Sequence, residues 1–572
     1  MTVSLLKPRT ASEAAVHLDT VADRLVVDLI QIGVTTYFGV PGGAIEPLFN
    51  ALARQERNGS VRVVPMRSEA GAGFAADGYY RATGSMAACT CTTGPGTSNL
   101  LTAVMTAHAD RIPMLIITPQ VALHKQGRGA LQESSSDGYD LTQILGTCTR
   151  YSTTITHHEQ LPFKLSRAMA AAMTPPHGPV HLSLPSDILA ATVRASMPCA
   201  AECSSLEAPV SQPVDAHALE RLVAALLKAK SPVFYVGDDA GVAAKGLSPL
   251  ARVTGAKLVT SPAGKRWVGH LDPMYKGVVG FSGHAEARDA VARADLIVAF
   301  GATFDELSTN AWSALKNVPI HAVDRHWTFA NRLPNVRPVV ASTQQVVDAI
   351  GVCLPPPLVL NLGRTLPPPD LASAPHDALV HPGALMRWLS RNLPADVPVH
   401  VDAGNSFSWS TRELMRARPD TYRVAMGFAT MCWAIGAAIG ASVGHRRRTI
   451  CITGDGSFLM SALELTVAVE QSLPVTYLVL NDAGLGMVRH GQELGRAESI
   501  AHEIAPVRFD QIARACGAAG FRVERLSELE QITRQWLESD DGGPAVIDVV
   551  IDREAVPPMA DRVAALANGS PK

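Results

Sequence analysis

The chain has 572 residues, 47% of them hydrophobic, with 50 basic against 52 acidic side chains and a formal charge of −2. That length allows about three or four domains with cores of their own, and the balanced charge offers no broad electropositive face for nucleic acid. Nine cysteines, an odd number at 89, 91, 148, 199, 203, 353, 432, 451 and 516, give neither a disulfide framework nor a redox pair, and no apolar run has the length of a membrane span.

The opening segment MTVSLLKPRTASEAAVHLDT carries neither a long apolar core nor a cleavage-site pattern, so a cytoplasmic protein is expected. Over residues 15–190, helical stretches alternate with short strands such as TTYFG, AACTCTTG, MLIIT and VHLSLP, the rhythm of a parallel α/β sheet. Glu69 stands in VRVVPMRSEAGAGFAADGYYRATG at a helix start, where the dipole favours a carboxylate. His157 and His158 fall near a later helix start and read as solvated. Residues 191–215, rich in Ala, Ser, Pro and Cys without periodicity, read as a linker.

A second α/β unit spans 216–353 with strands PVFYVG, KLVTS, DLIVAFG and PIHAVD, and a proline-rich linker follows at 354–376. The third unit, 377–556, contains VPVHVDAG, TICITGDG, VTYLVLND and AVIDVVID, leaving a C-terminal tail at 557–572. The basic run from His445 to Arg448 precedes a strand and reads as a solvated turn. The expected fold is therefore α/β, with three doubly wound parallel-sheet domains in series.

Within the third unit a β-branched run from Thr449 stops at Gly454 and Gly456, which flank Asp455. A helix from Ser461 to Gln471 is expected to turn Leu463, Val467 and Val469 to a core, and the strand PVTYLVL then ends at Asn481 and Asp482. Ligands of open parallel sheets gather at the carboxyl ends of strands. Asp455 and Asp482 can thus share one oxygen-loving cation while backbone N–H groups and Ser457 face a phosphate, which suits magnesium with a diphosphate.

This layout resembles the signature of thiamine diphosphate enzymes, GDG followed a helix and a strand later by an Asn pair whose second member binds the metal; here that position is Asp482. The resemblance implies Mg²⁺ held by Asp455, Asp482 and the carbonyl of Gly484, with Asn481 as the alternative ligand, and a cofactor site that includes Gly456, Ser457, Leu485, Gly486 and Met487. The Glu69 segment matches the same family through Arg67, Gly71, Ala75, Ala76, Gly78, Tyr79, Arg81 and Gly84. Glu69 would then protonate N1′ of the aminopyrimidine, which promotes loss of the thiazolium C2 proton. Its presence excludes the glyoxylate carboligase variant, which lacks this glutamate. In MGFATMCWAIGAAIGA, Met431 would force the cofactor's two rings into a V, the Ala429 carbonyl and Met431 N–H would bond the aminopyrimidine, and Asn405 and Ser406 would line the diphosphate. The three units become pyrimidine-binding, middle and diphosphate-binding domains.

Three further segments, YFGVPGGAIEPLFNAL, TTGPGTSNLLTAVMTAHADRIPMLIITPQV and ALQES, look like acetolactate (acetohydroxyacid) synthase large subunits. By that resemblance Gly43 lines the reacting centre, and Leu131 and Gln132 lie beside the thiazolium, where Gln132 can bond a substrate oxygen. Two departures concern the second 2-oxo acid: Gly491 stands where the synthases carry tryptophan, and Thr303 where they carry arginine. A neutral threonine cannot replace an arginine's two charge-assisted hydrogen bonds to a carboxylate. His490, with Gln492 and Glu493, supplies a different acceptor pocket or an acid/base pair, or else lies on an ordinary helix face, and a metal role is not expected of His490 because no second nitrogen ligand stands nearby in sequence. FAD, a structural cofactor of many of these synthases, is left open because AFGATFDEL and VDRHWTFANR are kept without the arginine.

The activity implied is decarboxylation of a pyruvate-like 2-oxo acid and transfer of its two-carbon unit to an acceptor carbonyl. The alternatives are a 2-oxo acid decarboxylase or C–C lyase, and a non-catalytic scaffold or regulatory homologue. The family pairs the glutamate of one subunit with the diphosphate of another, so a homodimer or homotetramer with sites at the interface is expected, without nucleic acid or membrane partners.

Overall fold

Apolar strands such as MLIITPQ and VTYLVLN, buried at every residue, require cover on both faces, and in the computed structural model each sits inside a parallel sheet flanked by helices. The structure describes residues 20–193, 199–200, 214–315, 317–326, 329–353, 379–532 and 534–569. The first sheet comprises β1 (Thr36–Gly39), β2 (Arg62–Pro65), β3 (Ala88–Thr90), β4 (Met114–Gln120), β5 (Tyr151–Thr154) and β6 (Pro179–Pro185), in the order β2-β1-β3-β4-β6-β5. The second holds β7 (Pro232–Val236), β8 (Lys257–Thr260), β9 (Tyr275–Val278), β10 (Leu296–Phe300), β11 (Ile320–Asp324) and β12 (Val336–Val340), ordered β12-β11-β10-β7-β8-β9. The third holds β13 (Val399–Val401), β14 (Tyr422–Arg423), β15 (Thr449–Gly454), β16 (Val475–Asn481), β17 (Ala519–Val523) and β18 (Ala545–Val550), ordered β14-β13-β15-β16-β18-β17. The three doubly wound α/β units are thus as expected, and the first and third share one topology.

Those two domains meet along helices that follow equivalent strands, Glu69–Thr83 after β2 and Trp433–His445 after β14. A methyl group at Gly440 would collide with the Ala75 carbonyl, and one at Gly78 with the backbone of Ala437, so the helices touch backbone to backbone where only glycine fits. Helix Trp433–His445 is accordingly apolar all round, and one hydrophobic cluster containing Phe38, Phe74, Val104, Trp433, Ile439, Phe458 and Tyr477 serves both domains. Register then sets the third sheet's crevice: Gly454 pairs with Leu480, so Asp455 and Asp482 leave neighbouring strand ends together.

Four expectations change. Arg448 is not part of a solvated turn; it is fully buried, and its guanidinium donates to the carbonyls of Ser539, Gly542 and Gly543 and to Thr476 Oγ1 at 2.6–3.2 Å. The helix expected from Ser461 is interrupted there: Asp455–Ser461 is one helix, Ala462–Glu464 a tighter turn and Leu465–Glu470 another helix. Ser461 adopts φ −139°, which shifts the helical phase, so Val467 is buried while Leu463 is 64% exposed. The C-terminal tail is a helix, Ala560–Gly569, tied to the middle domain by Arg562 on Glu306 at 2.8 Å and by Asp561 on Arg288. The 354–376 linker and most of 191–215 lie outside the described residues. Cys89, Cys91, Cys148, Cys432, Cys451 and Cys516 form no disulfide, and no described helix is long and apolar enough to cross a membrane.

Candidate active site

In the third domain, β15 delivers Asp455 as the first residue of helix Asp455–Ser461. Its Oδ1 accepts the Gly456 N–H at 2.7 Å and its Oδ2 the Gly484 N–H at 3.1 Å, which draws the loop after β16 onto it. Gly486 opens the next helix, Gly486–Leu494, in a spot so close to Asp482 Oδ2 and Asn405 Nδ2 that a side chain would displace both. Asn405 itself starts helix Asn405–Glu413, and its Nδ2 lies 3.4 Å from His490 Nδ1. Asn405, Asp455, Gly456, Asp482, Gly484, Leu485, Gly486 and His490 therefore share one crevice, with Met487 entering the adjacent core.

Burial pushes both carboxyls up, Asp455 to about 6 and Asp482, which also faces the charge of Asp455, to about 7. Asn405 Oδ1 and His490 Nε2 are buried without hydrogen-bond partners. Two repelling acids, two orphaned polar atoms and the N-termini of two nine-residue helices form a donor set that fits a divalent cation carrying a diphosphate. Asn481, the alternative ligand, is committed elsewhere: its Nδ2 donates to Asp548 at 2.8 Å and to the Val507 carbonyl at 3.1 Å. Adjacent residues at a strand end point to opposite faces, so only Asp482 turns to the crevice.

Two serines are placed differently from expectation. The Ser457 hydroxyl donates to Asp402 and accepts the Cys432 N–H at 2.7 Å, and the Ser406 hydroxyl returns to the Asp402 carbonyl at 2.9 Å. Neither side chain is free for a phosphate, which leaves their backbone N–H groups. Asp402, unnoticed in the sequence although it closes VHVD, is a buried hub. It accepts from the Cys432 N–H at 3.0 Å, the Ala434 N–H at 3.3 Å and the Thr453 hydroxyl at 3.0 Å. It thereby fixes the turn that carries Ala429 and Met431, a turn whose residues Ala429 and Cys432 take left-handed φ of 59° and 73°. Thr430 Oγ1 to Thr106 Oγ1 (2.7 Å) and Gly427 N–H to Asp110 (2.8 Å) sew the turn to the first domain.

On the first domain Glu69 is half-buried behind the N-cap Ser68, and its Oε2 accepts the Asn99 amide at 3.2 Å. Gly43 is exposed after β1 with open space around it. Gln132 is held at φ 60° where its backbone crosses Gly94, and its carbonyl accepts the Thr93 hydroxyl at 3.2 Å; Leu131 is 88% exposed. A buried network missed in the sequence supports that loop: Gln120 Oε1 accepts the N–H groups of Val121 (2.9 Å) and Ser134 (3.2 Å). His157 and His158 sit at a short turn, with the His157 side chain exposed as expected.

The middle domain's crevice, where β7 and β10 diverge, is lined by Asp238, Asp239 and Asp305 and by Asp110 and Arg111 of the first domain. Arg111 pairs with Asp239, lies 3.0 Å from His326 Nε2 and stacks on Phe329 at 4.4 Å. Thr303 donates to Asp305, and its carbonyl accepts from Arg332 Nη1 at 2.9 Å.

Three family models cover the chain in order. They are the thiamine pyrophosphate enzyme N-terminal TPP binding domain at residues 19–141, the central domain at 219–350 and the C-terminal TPP binding domain at 402–549. The chain is 32% identical to the acetolactate synthase isozyme 2 large subunit of Escherichia coli strain K12, over 91% of this chain and 93% of that protein. It is 30% identical to the mitochondrial acetolactate synthase catalytic subunit of Aspergillus candidus, over 92% and 80%. With the acetolactate synthase large subunit of Corynebacterium glutamicum it shares 29% over 95% and 88%. Two half-sites on equivalent domains, a third domain between them and this end-to-end similarity lead to one conclusion: the chain belongs to the thiamine pyrophosphate enzyme family, alongside the acetolactate synthase large subunits.

Proposed function

We propose that the protein is a thiamine diphosphate- and Mg²⁺-dependent carboligase of the acetolactate synthase type, which decarboxylates pyruvate or a close 2-oxo acid and passes the two-carbon unit to an acceptor carbonyl. The single observation that carries the cofactor reading is the pairing of buried Asp455 and Asp482 beside the orphaned Asn405 Oδ1 and His490 Nε2. When bound, thiamine diphosphate supplies a carbon nucleophile that adds to the 2-oxo acid and holds the electrons released with CO₂. The chain's own residues do the rest. Asp455, Asp482 and the Gly484 carbonyl hold Mg²⁺, and the N–H groups at the starts of helices Asn405–Glu413 and Gly486–Leu494 meet the diphosphate. Met431 supports the cofactor rings, the Ala429 carbonyl and Met431 N–H orient the aminopyrimidine, and Glu69 holds the proton at N1′. Leu131 and Gly43 shield the reacting centre, and the Gln132 amide reaches a substrate oxygen.

The two halves belong to different domains, and the surfaces around them are apolar and open: Leu131 at 88%, Leu463 at 64%, Met460 at 62% and Phe428 at 48% exposure. These patches support a homodimer or homotetramer whose sites pair Glu69 of one subunit with Asp455 of another. A cytoplasmic location is part of the reading, supported by buried thiols such as Cys89, Cys91 and Cys451 that form no disulfide. FAD is not: carboxylates of Asp110, Asp238, Asp239 and Asp305 face the switch-point crevice, a poor fit for a dinucleotide's phosphates.

For the acceptor, Arg332 restores a guanidinium to the Thr303 segment, which favours an acceptor that bears a carboxylate. Gly491, where an added Cβ would meet Met559 Cε at 3.8 Å, favours the second reading, simple decarboxylation or C–C cleavage, because its position carries no side chain to shape an acceptor pocket. Incubation with thiamine diphosphate, Mg²⁺ and pyruvate, with CO₂ release followed and the product identified by mass spectrometry, separates them. Acetolactate supports the carboligase; acetaldehyde in its place overturns it in favour of the decarboxylase.

A further inference from the structure

We propose that Glu464 is a positioning residue for Glu69: from the diphosphate-binding domain its carboxylate clamps the first turn of helix Glu69–Thr83 and so fixes the activating glutamate. The inference rests on the role given to Glu69 above. Glu464 is 2% exposed. Its Oε1 accepts the Ser68 hydroxyl at 2.7 Å and its Oε2 accepts the Arg67 N–H at 3.2 Å, so it grips the two residues that immediately precede Glu69.

The grip works through a relay. A serine hydroxyl has one proton, and because Glu464 takes it, Ser68 Oγ presents a lone pair to the Gly71 N–H at 3.0 Å and caps the helix. A side chain at Gly71 would strike the Glu464 carboxylate, which leaves glycine there. On the outer side the Arg67 guanidinium bonds Glu470 at 2.5 Å and Thr466 at 2.8 Å, and it favours the Glu464 carboxylate through its charge alone. The positive end of a 15-residue helix adds to that compensation.

Docking alone would not call for a buried acid, since the glycine-lined helix pair already joins these domains and an apolar side chain would avoid the desolvation cost. Glu464 also closes the tight turn that joins the helix begun at Asp455 to helix Leu465–Glu470, so the segment bearing a metal-side acid touches the activator's helix at that joint.

The test uses the full-length protein as Glu464→Gln, Ser68→Ala and Ser68→Thr. Glutamine keeps the volume but must turn an amide NH₂ toward one of two donors, which breaks one arm of the clamp. Expected for Glu464→Gln and Ser68→Ala are a kcat lower by roughly 10- to 100-fold, as a small misplacement of a catalytic group costs, and an unchanged KM for pyruvate. The dissociation constant for thiamine diphosphate with Mg²⁺, by calorimetry, should stay within about twofold and the thermal midpoint within a few degrees. Amide hydrogen exchange of residues 67–72, read without cofactor, should quicken by about fivefold or more, and Ser68→Thr should restore both kcat and protection. An unchanged kcat in Glu464→Gln, unchanged exchange, or a kcat loss matched by equal losses of affinity and thermal midpoint would each overturn the proposal. If the wild-type protein binds no thiamine diphosphate, the functional reading fails, and the exchange experiment judges the clamp separately.

Discussion

The first and third domains share one strand order, yet the loops at equivalent strand ends carry opposite chemistry. After β1 comes Gly43 and after β13 Asn405; after β2 Glu69 and after β14 the Ala429–Met431 turn; after β4 Gln132 and after β16 Asp482. Of the positions named, those of the first domain hold one carboxylate, Glu69 at a helix start; those of the third, with Asp455 after β15, bring together two acids and two helix N-termini. The topology therefore supplies a ring of positions, and under the proposed function the residue at each would decide which half of the cofactor it serves. The middle sheet, with its own strand order, has a crevice lined by the Arg111–Asp239 pair.

This division of labour can be tested from either side. The largest effect is expected from Glu69→Gln, which should keep the fold and thiamine diphosphate affinity while turnover drops by about 10²- to 10⁴-fold; calorimetry beside steady-state kinetics checks it, and full activity would refute the assignment. Asp455→Asn should act in the opposite sense, weakening Mg²⁺-dependent cofactor binding by about 100-fold. Unaltered calorimetric titration would remove Asp455 from the metal site. Gly440→Ala should strain the pair of helices that joins the first and third domains of the chain, costing about 1–3 kcal/mol and lowering the thermal midpoint by several degrees. Smallest is Arg332→Ala, expected to raise KM for a carboxylate-bearing acceptor about tenfold and to leave a neutral aldehyde acceptor unaffected.

Much of this was legible in the sequence because it is local. The buried strands announce themselves as apolar runs, and Gly454 and Gly456 bracket Asp455 within a few residues. What escaped depends on distant partners. Arg448 reads as solvated since charged runs usually are, but the carbonyls that receive it lie some 90 residues on. Glu464 and Asp402 look like ordinary acids until folding places Ser68 and Ser457 against them. Leu463 misled through backbone geometry, because a helical pattern continues through Ser461 although the helix does not. The hydroxyls of Ser406 and Ser457 show a similar limit, since a motif does not specify rotamers and both point inward.

The glycine seam has a consequence for how the chain is made. Gly78 and Ala437, which meet there, are about 360 residues apart, and at roughly 5–20 residues per second a ribosome needs about 20–70 s to cover that distance. Throughout that interval the Gly- and Ala-rich face of helix Glu69–Thr83 has emerged while its permanent neighbour does not yet exist. Having so few bulky side chains, the face offers little for another nascent chain to adhere to, so the residues that let two backbones touch also make the wait for synthesis safe.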